Sequence, residues 1–256
     1  MKKKILKILA FVLALCLLAV VCLFANVMVG NPVSKALAKR SAQDYLIENH
    51  AGEGYEIKKV AYDWYNTEYL VECAVPGSLD RHFRVDTDFF GRMAYSSYED
   101  DVLRHGNTAE RLNDSYNELC DAVMCSAFLP FEIEYAFCRL NFESGPEETD
   151  SEHPSGVLRM EDLQTDADYD ICELAANAGV LSVGFRDENA TVERMCEILL
   201  ALKKTADQAG FSFHAVSCGI DPPAHPADDA VYVWGFLYSD IYEEGLIDRV
   251  RLAIEN

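Results

Sequence analysis

Basic side chains are scarce in this chain: 22 Lys and Arg stand against 43 Asp and Glu, a formal net charge of −21. That balance excludes a nucleic-acid role, because a phosphate backbone demands a basic face, and argues against a chain lying flat on an anionic membrane. Cations or basic partners fit it, and so does a purely solubilising role. Catalytic signatures are missing too. There is no G-x-S-x-G, no H-E-x-x-H, no P-loop and no G-x-G-x-x-G, so four well-defined chemistries have no carrier. The histidines, His50, His82, His105, His153, His214 and His225, are scattered without metal-ligand spacing. C-x-x-C is also absent, which removes the usual zinc-ribbon and thioredoxin signals. No residue is assigned to catalysis, to a cofactor or to a metal.

What is present begins with an apolar run from Ile8 to Val29, interrupted only by Asn26. Lys2, Lys3, Lys4 and Lys7 precede it, and Gly30, Asn31 and Pro32 end it. At 1.5 Å per residue the run reaches across roughly the 30 Å of a bilayer's hydrocarbon core, so it predicts a transmembrane helix. A cleaved signal would have a shorter apolar core of about 7–15 residues and a small-residue site. Here Ala19 and Ala25 are followed by Val21 and Val27, so a retained anchor is expected. Cys16 and Cys22 follow Leu15 and Val21, which does not suit lipidation. Four lysines before the run, against Lys35, Lys39 and Arg40 after it, place the N-terminus in the cytoplasm. The expected location is the cell membrane, single-pass, with the C-terminal domains extracytoplasmic. A membrane anchor and an envelope protein are the expected partners.

Hydrophobic residues make up 50% of the chain and charged ones 25%, which predicts globular domains beyond the anchor. The expected division is 1–30 for the Lys-rich tip and anchor, 31–105 for a helix plus antiparallel sheet, and 106–256 for a second α+β domain. Pro32 to about Asn49 has helical spacing, with Pro32 in the first turn. Strands are expected at Tyr55 to Asp63, Tyr69 to Val75, His82 to Asp86 and around Gly91 to Tyr95. In the first, Tyr55, Ile57, Lys59 and Ala61 should share one side. Tyr62, Trp64, Tyr65, Tyr69, Tyr95 and Tyr98 read as sheet packing before they read as a ligand box.

The run N-P-V-S-K-A-L-A-K-R from Asn31 to Arg40, Tyr45, Y-E-I-K-K-V-A-Y-D from Tyr55 to Asp63 and P-G-S-L-D-R-H-F from Pro76 to Phe83 resemble the YfjL-like proteins of Gram-positive bacteria. The resemblance covers about the first hundred and twenty residues. It implies a single-pass protein with a small N-terminal domain and a second α/β domain, and it supplies no catalytic residues. The helix-then-sheet order also resembles PepSY-type and cystatin-like modules at the level of fold, which implies regulation of an envelope protease or peptidoglycan enzyme.

In the second half a helix is expected from Asn107 to about Phe128, capped by Asn107-Thr108. Phe131 to Cys138 alternates as a strand, and Asn141 to Gly156 reads as a mobile polar loop. Asp162 to Ala176 gives no regular pattern. Gly179 to Phe185 should be a buried strand and Asn189 to Ala209 a helix ended by Gly210. Strands at Phe211 to Cys218 and Ala230 to Tyr238 should precede a last helix capped by Ser239. The sum is a small α+β sandwich with helices on one sheet face.

Asp166-Ala167-Asp168-Tyr169-Asp170 opens like a calcium loop, but Ile171 stands where glycine is needed and Asn177 where the bidentate glutamate belongs. A solvated acidic loop is the better reading. Cys73, Cys196 and Cys218 read as small core hydrophobes, while the other cysteines leave disulfides open without naming pairs. His214, between Phe213 and Ala215, reads as a structural strand residue. Three functions follow. The first is a membrane-anchored binding or interaction module without catalysis; the others are a PepSY-like regulator and an unrecognised hydrolase or thiol enzyme.

Overall fold

The computed structural model describes residues 7, 11–18, 20–21, 28–126, 131–143, 156–223 and 230–255. Much of the expected transmembrane run, and most of the Asn141 to Gly156 loop, lie outside the described residues. Within the run, residues 11–18, 20–21 and 28–29 are helical and exposed. Among the described residues no helix is long and apolar enough to cross a membrane.

The first unit starts at a tight joint. Gly30 takes φ +75°, and a Cβ there would meet the Tyr69 hydroxyl at 2.7 Å and the Tyr62 ring at 2.8 Å, so the turn requires glycine. Asn31 then caps helix α1, Pro32–Asn49, its side chain accepting from the Ser34 N–H at 2.8 Å. The buried Tyr69 hydroxyl fixes this joint from the sheet side: it accepts from the Asn31 N–H at 2.7 Å and donates to the Asn31 carbonyl at 3.1 Å.

Strands β1 (Glu56–Asp63), β2 (Glu68–Ala74), β3 (His82–Thr87) and β4 (Met93–Ser96) form an antiparallel meander in that order. Ala38 and Ala42, one helical turn apart, let α1 approach the sheet closely and pack on Tyr69, Val71, Cys73, Phe83 and Val85. The alternation expected for β1 fails at its middle. A bulge between Ile57 and Lys59 reverses the parity, so Tyr55, Ile57, Val60 and Tyr62 face the core while Lys59 reaches Glu72 at 3.4 Å.

A second compact unit begins at Arg104. Helix α2 (Gly106–Ser126) starts ahead of the expected cap, its first turn closing on the His105 carbonyl. Asn107 and Thr108 are therefore buried in the helix and do not precede it. β5 (Glu132–Leu140) is followed by the short strands β6 (Phe142–Glu143) and β7 (Leu158–Arg159), which pair in parallel. The stretch without a sequence pattern contains helix α3 (Ile171–Ala178). Asp170 caps it, accepting from Cys172 N–H at 2.9 Å and Glu173 N–H at 3.2 Å, so one carboxylate of the acidic triplet serves a helix end.

Strand β8 (Gly179–Arg186), helix α4 (Val192–Ala209) and strand β9 (Ala215–Asp221) make a parallel crossover, and β10 (Val231–Leu237) returns antiparallel. Helix α5 (Leu246–Glu255) begins later than expected, because Ser239 sits in a 3-10 turn, Tyr238–Asp240. The sheet order is β10-β9-β8-β5. Residues of α2, α3, α4 and α5 share one core with Leu181, Val183, Phe185, Val216, Cys218 and Ile220 of the central strands. On the outer edge of β5, Asn113 and Asn117 of α2 accept from the Leu140 and Cys138 N–H groups at 2.7 and 3.0 Å. The helix thereby satisfies an edge that would otherwise invite another strand.

Candidate functional site

Because successive strand residues point to opposite faces, filling one face of the second sheet with core leaves a second set of side chains on the other. The register assembles them into rows. Tyr135 lies beside Gly184, which lies beside Gly219, which lies beside Tyr232. In the next row Phe137 stands beside Ser182 and Ser182 beside Ser217, with Trp234 of β10 close by, since the adjoining Gly235 N–H donates to the Ser217 hydroxyl at 3.2 Å. The central strands thus offer glycine and serine, and both edge strands carry aromatics.

The rings pair along each edge strand above this small-residue floor. Tyr135 and Phe137 are near-parallel with centroids 6.1 Å apart, and Tyr232 and Trp234 are near-parallel at 6.0 Å. A Cβ on Gly184 would meet the Tyr135 ring at 2.3 Å, and one on Gly219 would meet the Tyr232 ring at 2.6 Å. Only hydrogen there lets the tyrosines lean across the sheet, an arrangement in which an aromatic covers a strand glycine. The result is a cavity of about 210 Å³ lined by Tyr135, Phe137, Tyr232 and Trp234 with Ser182 and Ser217. Trp234 is 74% exposed and Phe137 46%, so apolar ring surface faces solvent.

Among the described residues no charged side chain lines it, but carboxylates stand behind the tyrosines. Tyr232 donates to Asp221, and that bond with burial pushes its phenol up to about 12. Burial raises the Tyr135 phenol as well, helped by the negative charges of Asp221 and Glu134. Arg186 pairs with Glu134.

The glycine geometry carries a prediction. A Gly184→Ala protein is expected to fold with a modest stability loss, within the usual 1–3 kcal/mol of overpacking, because the obstructing atoms belong to a ring that can swing outward. The displaced Tyr135 should alter the cavity and shift the emission of nearby Trp234. An unchanged spectrum would mean that the ring does not cover Gly184.

A second concavity of about 390 Å³ involves Asp207, Ser212, His214, Tyr238 and Ser239. It holds His214 together with one carboxylate and three hydroxyls. Tyr238 donates to Asp207, and among the described residues no side-chain hydrogen bond joins His214 to a hydroxyl, thiol or carboxylate. Its location at the amino end of β9 is also opposite to the carboxyl ends where parallel α/β units usually hold ligands. Among the described thiols Cys125 on α2 is exposed, and the Cys120 thiol, in hydrogen-bond contact with Cys138, is held below its usual range. Cys73, Cys120, Cys138, Cys196 and Cys218 are buried, burial pushes the Cys73 thiol up to about 11 and raises Cys218 further, and Cys172 donates to the Gly210 carbonyl at 3.4 Å. Among the described residues no three His, Cys, Asp or Glu side chains gather as metal ligands.

The sequence reading named no site and weighed aromatic stripes only in the first domain. The missed signal is a pair of short patterns, Tyr135-Ala136-Phe137 and Tyr232-Val233-Trp234, each aromatic on the parity opposite to the core. Neither means much until the sheet order shows that they flank the same two strands.

An α+β chain of two units, one of them a helix packed on a four-stranded meander, defines the class. Residues 2–101 match the YfjL-like N-terminal domain and residues 128–251 match the YfjL-like C-terminal domain, so the chain belongs to the YfjL-like family across both units. The likeness therefore extends beyond the first hundred and twenty residues. No curated protein and no solved structure matches the chain.

Proposed function

We propose that this YfjL-like protein is a single-pass membrane protein whose two C-terminal units lie outside the cytoplasm, and that it binds a ligand without transforming it. The observation that carries the binding reading is the aromatic-walled cavity on the sheet face opposite the core, which presents ring surface and two serine hydroxyls, with no nucleophile beside a base among its described lining residues. Supporting the location are the apolar run from Ile8 to Val29 and the lysines before it. The anchor would hand over to the first unit at the Gly30–Asn31 joint that Tyr69 fixes.

The meander with a helix across it favours a second reading, a PepSY-like regulator of an envelope protease or peptidoglycan enzyme. The two readings separate on which unit matters. Substituting the cavity's aromatics one at a time should weaken the cellular phenotype by degrees if binding at the second unit is the function. Loss of the whole phenotype on His214→Ala or Cys138→Ser, with fold and amount of protein unchanged, would defeat the binding reading and move a thiol or acid/base enzyme to first place. Topology has its own test. Protease added to intact cells is expected to remove both units and spare the anchor, and protection of the entire chain would place them in the cytoplasm.

A further inference from the structure

The cavity's size already restricts its ligand. At about 210 Å³ it is smaller than the roughly 300–1,000 Å³ typical of sites for drug-sized molecules, so it suits one compact group. Its chemistry restricts the ligand further. Four aromatic side chains line the space, no cation among the described residues does, and a negative charge of −21 belongs to the chain as a whole. An anion would meet ring electrons and the field of Asp221, with no basic side chain in the lining to offset either. Arg186 is held by Glu134, and Arg139 lies one row beyond Phe137, outside the lining. A neutral polar group would gain from Ser182 and Ser217 but would not use four rings.

We propose that Tyr135, Phe137, Tyr232 and Trp234 form a cage for a compact organic ammonium group, with a methylated ammonium as the best fit. The inference rests on the binding reading above and names its ligand class. Aromatic faces attract cations through the ring quadrupole, most strongly for Trp and where water is excluded. Methylation spreads the charge over an apolar surface, which matches rings that would gain little from a strongly hydrated ammonium. Asp221, bonded to the Tyr232 hydroxyl, puts negative charge behind one wall and strengthens that attraction. The serines are suited to a hydroxyl or carbonyl on the rest of the ligand.

Calorimetry on the full chain in maltoside micelles, a detergent without an ammonium headgroup, tests this with choline and its uncharged carbon isostere 3,3-dimethylbutan-1-ol. Choline is expected to bind at least tenfold more tightly than the isostere and to quench Trp234 in a Trp64→Phe background. Trp234→Ala should weaken choline at least tenfold, and Phe137→Leu, which keeps the apolar volume, should weaken it measurably with the fold intact by circular dichroism. No heat with choline, or equal affinity for the isostere, overturns the proposal. Repeating the titration in phosphatidylcholine and phosphatidylglycerol nanodiscs separates sources. Competition confined to the phosphatidylcholine discs identifies a lipid headgroup, equal affinity in both identifies a free solute, and either retains the cage. If choline fails while Trp234→Ala still changes the cellular phenotype, the cation inference falls and the binding reading stands.

Discussion

A Phe185→Ala protein is expected to lose about 3–5 kcal/mol of stability in the second unit, because truncating a buried phenylalanine removes its transfer energy and leaves a cavity the neighbours fill incompletely. Phe185 is fully buried on β8, the strand between β5 and β9, with Phe131 set edge-on to it at 5.9 Å. Leu181 and Val183 on the same strand have equally closed surroundings, which limits relaxation. Since a domain's whole stability is about 5–15 kcal/mol, this change takes a large share of it. The two tryptophans make the experiment specific. Trp64 belongs to the first unit and Trp234 to the second, so a Trp64→Phe background reports the second unit alone in urea. A midpoint unchanged by Phe185→Ala would contradict the core assignment.

How much of this could be read from the sequence depends on whether the information was local. Helix α1, expected from Pro32 to about Asn49, was legible at both ends, since Asn31-Pro32 and the Gly52 and Gly54 turn act on their near neighbours. Helix α4 was legible for the same reason: Gly210 supplies the left-handed cap and Met195, Cys196, Leu199 and Leu202 repeat on the buried face. Its start was placed three residues early because Thr191, not Asn189, accepts from the Arg194 N–H. Helix α3 was missed outright. Its eight residues are too few for a periodic signal, and its Asp170 cap was read with the neighbouring acids as a loop.

Pairing was less legible still. Nothing in Ile57-Lys58-Lys59 announces a bulge, because a register shift depends on which residue of β2 each carbonyl meets. The parallel pairing of β8 with β9 likewise comes from α4 packing back on the sheet and not from the composition of either strand. The candidate site inherits this difficulty. Its walls come from strands almost a hundred residues apart, and glycine at 184 and 219 carries meaning only once Tyr135 and Tyr232 lie over it.

Phe83→Ala should have the more drastic consequence, although the residue removed is the same. The hydrophobic core cluster of the first unit comprises seven buried described residues, against twenty-eight in that of the second. A smaller core buries a smaller share of the chain and leaves less margin, so a loss of about 3–5 kcal/mol can equal the entire stability of such a unit. Phe83 also stands among rings, with Tyr55 at 5.0 Å, Tyr98 at 5.1 Å, His50 at 5.4 Å and Tyr45 at 6.3 Å. Its removal would open a gap beside the buried His50, whose Nδ1 lies 3.3 Å from Glu53 and whose Nε2 has no hydrogen-bond partner among the described residues. Water entering that gap would solvate Nε2 and loosen the Glu53 link to Tyr98 and Arg81, which ties the turn after α1 to the residue before β3 and to the chain after β4. In a Trp234→Phe background, Trp64 emission is expected to show the first unit largely unfolded at 37 °C. The same substitution in a Trp64→Phe background should leave the urea midpoint of the second unit within experimental error. Simultaneous loss of both signals would mean that the two cores fold as one cooperative structure, and the division at Leu103 would have to be abandoned.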